Sequence, residues 1–193
     1  DQATIQQAID AYTDVALCQG AQFKIRYPVI VKNGTRLYTE GYPQDPQNYA
    51  ELVAQPELVT AAYPRIVSGW GTNGVTLSHL KINGNRSKIG YTSNGELISL
   101  GNGRDYIVDN LIITDTLGWT HFHLMNPCHG AWVHDNTVRG PIKAHDAKGQ
   151  WADGLSISCQ DSVIENNTVY DASDAAIVFF GGVGTKIRNN HVI

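Results

Sequence analysis

Glu96, Asp153 and Asp174 each open a short apolar run: Glu96-Leu-Ile-Ser-Leu100, Asp153-Gly-Leu-Ser-Ile157 and Asp174-Ala-Ala-Ile-Val178. Thr120-His-Phe-His-Leu124 has the same shape, with Thr120 in the acidic position. If these runs are strands stacked in register, the carboxyls stand on neighbouring strands. Close carboxylates repel, so one of a pair has a raised pKa and the two divide into acid and base. Glycosidic bond cleavage needs that division. Its two stereochemical courses differ in carboxyl separation, roughly 5 Å against 6.5–9.5 Å, and one strand spacing permits either. Asp153 and Asp174 are therefore the candidate catalytic pair. The plainer reading is that an Asp at a strand start bonds turn amides.

Histidine supplies a second group. His121 and His123 alternate out of one run beside the Asp153 run, and both are catalytic candidates, since a neutral imidazole can act as a general base. With Asp153 they could also hold a metal ion, but two His at i and i+2 without a third firm ligand assign no metal site. His129 and His134 read as solvated or core-edge residues. Trp119 and Trp151 sit at the edges of these runs, where an aromatic ring can stack on the apolar C–H face of a sugar, whereas Phe179 reads as core. Glu96 joins the two Trp as a candidate substrate-binding residue. Lys143 and His145, with Arg139 and Lys148 nearby, offer the charge that an eliminative mechanism on a uronate would need. No cofactor is firmly implied; a divalent cation would fit if the reaction were elimination.

The elements that must position these residues are legible as a repeat. Ile107-Val-Asp-Asn110-Leu-Ile, Val133-His-Asp-Asn136-Thr-Val, Ile164-Glu-Asn-Asn167-Thr-Val and Ile187-Arg-Asn-Asn190-His-Val join apolar segments through an Asn, and a degenerate copy passes through His79. Short β-branched runs punctuated by Asn, Asp and Gly, at a spacing of 23 to 31 residues between the Asn, predict a solenoid of strands with Asn stacked in ladders. Cys128 and Cys159 each lie eight residues before such an Asn, so they fall on adjacent coils, where a disulfide and a buried thiol ladder both fit. Cys18 stands apart. An amphipathic helix over about 4–18, starting on the capping-box pattern Thr4-Ile-Gln-Gln7, would cover the first coil. Phe23 to Val31 alternates as one strand. Residues 42–64, with Pro43, Pro46, Pro56 and Pro64, read as a loop around a helical turn at 49–54, and 139–150 as a second insertion.

The whole of 1–193 reads as one domain. A formal charge of -4 without a basic run argues against nucleic acid and anionic membrane as partners. No apolar stretch reaches the roughly 18 residues of a transmembrane helix. Three glycosylation sequons, at Asn33, Asn85 and Asn166, lean toward a secreted, extracellular protein. The motif ending at Asn190 resembles those before it and nothing closes it. The expectation is a further stretch of solenoid beyond this point or a partner chain on the last coil.

A capping helix, Asn ladders and coils of this size resemble the right-handed parallel β-helix of the pectate-lyase-like superfamily. That resemblance implies an all-β, right-handed parallel β-helix (solenoid) with an N-terminal capping α-helix. Ala152-Asp-Gly-Leu and Ser173-Asp-Ala-Ala are locally similar to the two Asp blocks of polygalacturonase-type glycosidases, and that similarity implies catalytic roles for Asp153 and Asp174. Trp151 and Ala152 stand where that family has Asn and Thr, and Ser173 where it has Asp. The expected function is polysaccharide cleavage in a groove along the helix, by hydrolysis with paired carboxylates. β-Elimination on a uronate polymer is the alternative. A non-catalytic glycan-binding or structural β-helix is the alternative of another class.

Overall fold

The computed structural model describes residues 2–141 and 149–193. After the helix Gln2–Ala11 the chain coils through three parallel sheets in turn, two of seven strands and one of six. Sheet A runs from Asp14–Leu17 to Lys186–Arg188, and sheet B from Gln22–Ile25 to His191–Val192. Sheet C contains Val29–Ile30, Val67–Trp70, Glu96–Arg104, Thr120–His129, Asp153–Ser158 and Ile177–Gly181. Parallel neighbours need a crossover between them. Here the other two sheets provide it.

The interior is built of apolar ladders. In sheet A, Val15, Leu37, Leu77, Val108, Val133, Ile164 and Ile187 stand in one register. Leu52, Ile82, Ile113, Val138 and Val169 do the same in sheet B, and Val67, Ile98, Phe122 and Leu155 in sheet C. Nearly all are fully buried, each contributing about 1.5–3 kcal/mol by leaving water. On the last coil the rungs are open: Ile187 is 40% exposed, Phe179 46% and Val192 63%. Phe179, expected in the core, is therefore not covered by it.

From the strand Thr76–Ser78 onward, each coil turns from sheet A to sheet B on a residue in the left-handed region: His79, Asn110, Asp135, Asn166 and Asn189, with φ between 51° and 56°. Asn, Asp and His tolerate that conformation best among residues with a Cβ. The buried Asn ladder lies one position later. Asn136 Nδ2 donates to Asn167 Oδ1 at 2.9 Å, and Asn167 Nδ2 to Asn190 Oδ1 at 3.0 Å. Each amide also bonds a backbone carbonyl of the preceding coil. Asn110 is not a rung of this ladder: Val108, not Ile107, pairs with Val133, and the rung below Asn136 is Leu111, whose N–H donates to Asn136 Oδ1. The shared Asp-Asn pair hides this one-residue slip in the sequence.

The helix ends at Ala11, not near 18, because Asp14–Leu17 pairs with Arg36–Thr39 as the first rung of sheet A. Thr4 lies inside the helix rather than capping it. Ile5 and Ile9 are buried on the first coil. Gln6 closes the free edge of sheet C, donating to the Ile30 carbonyl and accepting from the Ile30 N–H. Phe23 to Val31 forms two strands in different sheets, with Tyr27 exposed at the corner between them. Residues 50–54 form a strand of sheet B rather than a helical turn, because Leu52 completes the ladder between Phe23 and Ile82. The helical turn comes at Pro56–Val59.

Cys128 and Cys159 form a disulfide between adjacent coils, with Cα atoms 4.5 Å apart, and Cys18 is free and exposed. Thermal unfolding of Cys159→Ser should report a loss of about 2–4 kcal/mol with the far-ultraviolet sheet spectrum unchanged. An unaltered midpoint would show that the crosslink adds nothing to a ladder that is already complete.

Candidate active site

The polar residues of sheet C meet where its strands begin. Glu96, Thr120 and Asp153 are register partners on three successive strands, as the repeat predicts. Ser99, His123 and Ser156 form a second row three residues on. The two rows bond to each other. Glu96 Oε1 lies 3.0 Å from His123 Nδ1, Asp153 Oδ2 accepts from Ser156 Oγ at 3.0 Å, and Thr120 Oγ1 lies 2.9 Å from Ser156 Oγ. Trp119 meets the His123 ring edge-on at 4.9 Å.

Glu96 is buried. Burial pushes its pKa up, but the bond to His123, the Arg65 guanidinium and Ser99 outweigh this and hold it below the ordinary value. Its Oε2 faces Arg65 Nε at 3.2 Å, an ion pair whose angle does not make a hydrogen bond. An ionised carboxylate can only accept, so Nδ1 of a neutral His123 carries the proton and Nε2 keeps its lone pair. Nε2 has no hydrogen-bond partner among the described residues, and the side chain is 16% exposed. A carboxylate-oriented imidazole with a free second nitrogen is the arrangement of a general base.

Asp153 has the opposite bias. Burial pushes its pKa up, Ser156 and the Ala175 amide pull it down, Asp174 raises it and His123 lowers it, with a net rise. The sheet thus gives two carboxyls of one row, Glu96 and Asp153, opposite biases, with the Thr120 strand between them.

The other candidates separate from this row. Asp174 is exposed and does not share a register position with Asp153. Leu155 pairs with Ile177, one residue later than the spacing predicts, so Ala175 stands opposite Asp153. The cause is local: the Ala175 N–H donates to Asp153 Oδ1 at 3.2 Å, so the last coil turns around that carboxyl. Asp153 therefore does bond a turn amide, as the plainer reading has it, and the raised pKa coexists with that bond. His121 does not share the environment of His123. It is fully buried, with Nδ1 and Nε2 each 2.7 Å from a carbonyl oxygen, of Asp153 and of Arg139. Burial drives its pKa down to about 4 against the pull of those carbonyls. Carbonyl oxygens only accept, so the neutral ring donates to one of them and only the protonated ring bonds both; in either state both nitrogens face the backbone and neither is free for a substrate. Trp151 is 52% exposed at the edge of the Asp153 strand. Lys143 and His145 lie outside the described residues. Among those described, no cluster of three or more His, Cys, Asp or Glu side chains is arranged to hold a metal ion. His129 is exposed and paired with Asp161, and His134 stacks on Trp132.

The outer face of sheet C is a floor on which Trp70, two positions past the Ser68 rung of the His123 row, is 53% exposed and His123 16%, whereas Ser99, Ser156 and Asp153 are buried. A cavity flanks it on each side. One, of about 630 Å³, lies at the corner that leads into the sheet, and one of about 370 Å³ at the corner that leaves it. Neither contains His123 or Asp153.

Three comparisons place this architecture. No family model matches the sequence, and no curated protein does. Among solved structures, a Parabacteroides merdae protein provisionally described as a glycosyl hydrolase superposes with a TM-score of 0.75 at 16% identity, over 98% of this chain and 87% of its own. An alginate lyase from Paenibacillus sp. FPU-7 gives 0.60 at 15%, over 98% of this chain and 73% of its own. The fold shared with these structures is the right-handed parallel β-helix. The tailspike protein of E. coli bacteriophage HK620, also solved with a pentasaccharide, matches 100% of this chain but 41% of its own length, with a TM-score of 0.59 at 9% identity. At such identities the β-helix itself is what is shared.

Two residues of the β-helix site escape a sequence reading. Arg65, distant in sequence, pairs with Glu96 because its coil lies directly below. Ser156 looked like one more small polar residue; only the stacking of its row shows that it links Thr120 to Asp153. The coincidence of Ser99, His123 and Ser156 three positions after Glu96, Thr120 and Asp153 was a visible signal for it.

Proposed function

We propose that this β-helix is a secreted enzyme that hydrolyses a polysaccharide bound across sheet C at His123. The observation that carries this reading is His123, held by Nδ1 on the buried Glu96 carboxylate with Nε2 free, one coil from a carboxyl whose pKa is raised. In the proposed step Nε2 takes a proton from water as its oxygen attacks the anomeric carbon. Asp153 gives its proton to the departing glycosidic oxygen. Glu96 fixes the tautomer of the base and offsets the charge the ring acquires, which replaces the expected pairing of Asp153 with Asp174. Trp119, Trp151 and Trp70 offer faces for sugar rings. Elimination would need a cation beside the base to neutralise a uronate; among the described residues Arg65 lies next to the Glu96–His123 pair, engaged with Glu96. The superposed proteins are described as a glycosyl hydrolase and an alginate lyase, which supports a polysaccharide substrate, and the disulfide fits an oxidising compartment.

Incubation with a panel of plant, algal and bacterial polysaccharides tests it, read both as new reducing ends and as the ultraviolet absorbance of unsaturated uronates. Reducing ends without that absorbance are expected. Absorbance rising in step with them would replace hydrolysis by elimination, and silence in both would leave a binding module.

A further inference from the structure

The larger cavity is unlike the floor it adjoins. Its walls carry Arg86, Tyr91, Asp115, Arg139, Pro141, Gln150 and others from the corner between sheets B and C. Arg86 is 8% exposed. Its guanidinium lies over the Tyr91 ring at 4.6 Å, and Nη2 donates to the Gln150 carbonyl at 2.6 Å, so its orientation is fixed. Nη1 is buried and has no hydrogen-bond partner among the described residues. An arginine does not shed its proton in a protein, so this is a buried cationic donor left unmet, a feature that native interiors rarely tolerate without a function. Burial pushes the group's pKa down, and Tyr91 and Asp115 offset that only in part.

A second guanidinium is close by. Arg139 lies over the Tyr170 ring at 4.8 Å on the same wall. The volume, about 630 Å³, falls in the range of small-ligand sites, about 300–1,000 Å³. The mixed walls suit a sugar: an aromatic face at Tyr91, with Asp115 and Asp171 as acceptors for hydroxyls. Asp115 spends Oδ2 on the Ser87 N–H.

We propose that this cavity is a glycan subsite whose Arg86 and Arg139 receive an oxyanion substituent, a carboxylate or a sulfate ester, on a sugar next to the one being cleaved. Guanidinium planes match both groups with directed, charge-assisted hydrogen bonds. The cavity is wired to the floor. Gln150, which holds Arg86, is three residues from Asp153, and the Arg139 carbonyl meets His121, whose other nitrogen meets the Asp153 carbonyl. An anionic sugar seated there would bring the next glycosidic bond toward Asp153. The proposal rests on the hydrolytic reading for the word "cleaved", but not for binding.

Calorimetric titration of the full chain with three matched oligosaccharide sets, uronate-bearing, sulfated and neutral, tests the subsite without turnover. Wild type should bind one anionic set at least roughly tenfold more tightly than the neutral set, the scale of a charged hydrogen bond. Which set it prefers separates carboxylate from sulfate. Arg86→Gln should abolish that preference and leave neutral binding unchanged. Because Arg86 is buried, the exposed Arg139→Gln provides a second variant that should weaken the preference even if the first fails to fold. Equal affinity for all three sets, or an anionic preference that survives Arg139→Gln and a folded Arg86→Gln, would overturn the proposal. Loss of anionic preference in these variants of a protein that cleaves nothing would uphold the subsite and sink the hydrolytic reading. Cleavage by wild type without any anionic preference would do the reverse.

Discussion

His123→Ala should lower turnover of the cleaved polysaccharide by roughly 10²–10⁴-fold, the usual contribution of a positioned general base, while oligosaccharide affinity stays near wild type. The ring makes one side-chain hydrogen bond and leaves Nε2 unspent, so its removal takes little from the core. The ladder beneath it, Ile98, Phe122 and Leu155, stays intact. Added imidazole should restore part of the lost rate, because a free base can enter the space the side chain vacates. A purely structural histidine would show no such rescue. Wild-type turnover in the alanine variant would remove His123 from the mechanism.

Glu96 separates orientation from chemistry in the same row. Its carboxylate touches the base and Arg65 but no bond-making atom, so it is a positioning residue. Replacing it would also leave the partly buried Arg65 without its counter-ion, which makes His123 the cleaner variant.

Much of this architecture can be read from residue patterning because a solenoid repeats its own evidence. Ladder residues recur at each coil, so Ile98, Phe122 and Leu155 could be aligned across sheet C from the sequence, and the disulfide partners matched, without knowing any turn. Legibility fails where one residue is gained or lost between repeats. Asn110 and Asn136 look equivalent because both follow Asp, but the left-handed corner row and the buried Asn row are adjacent, and either can hold an Asn. Asp174 fails for the same reason: its side chain resembles that of Asp153 while the turn before Ile177 is one residue longer. His121 fails differently. Alternation puts it with His123, but two backbone carbonyls capture its ring, and only the fold brings Arg139 beside Asp153. The candidate site was thus half visible, as residue types on the correct strands, with the partners that decide each role hidden in neighbouring coils.

Asp153→Asn should lower turnover of natural polysaccharide by roughly 10²–10⁴-fold and raise stability at neutral pH. Donation of a proton to the leaving oxygen is the role assigned to this carboxyl, so a glycoside with a nitrophenolate leaving group, which departs without one, should still be cleaved at a rate close to wild type. Equal losses on both substrates would mean that Asp153 is not the acid. The stability effect follows from the direction of its shift. Burial raises the native pKa above the unfolded one, so between those two values the unfolded chain has released a proton that the native state retains. Stability then falls as pH rises through that window and stays lowered above it. Asparagine has no proton to release, and its amide oxygen can still accept from Ala175. Denaturant titrations of the variant and wild type should therefore diverge above the window, with the variant the more stable, and converge below the ordinary carboxyl range of about 4. A variant less stable at neutral pH would show that the charged form is the one the coil was built around.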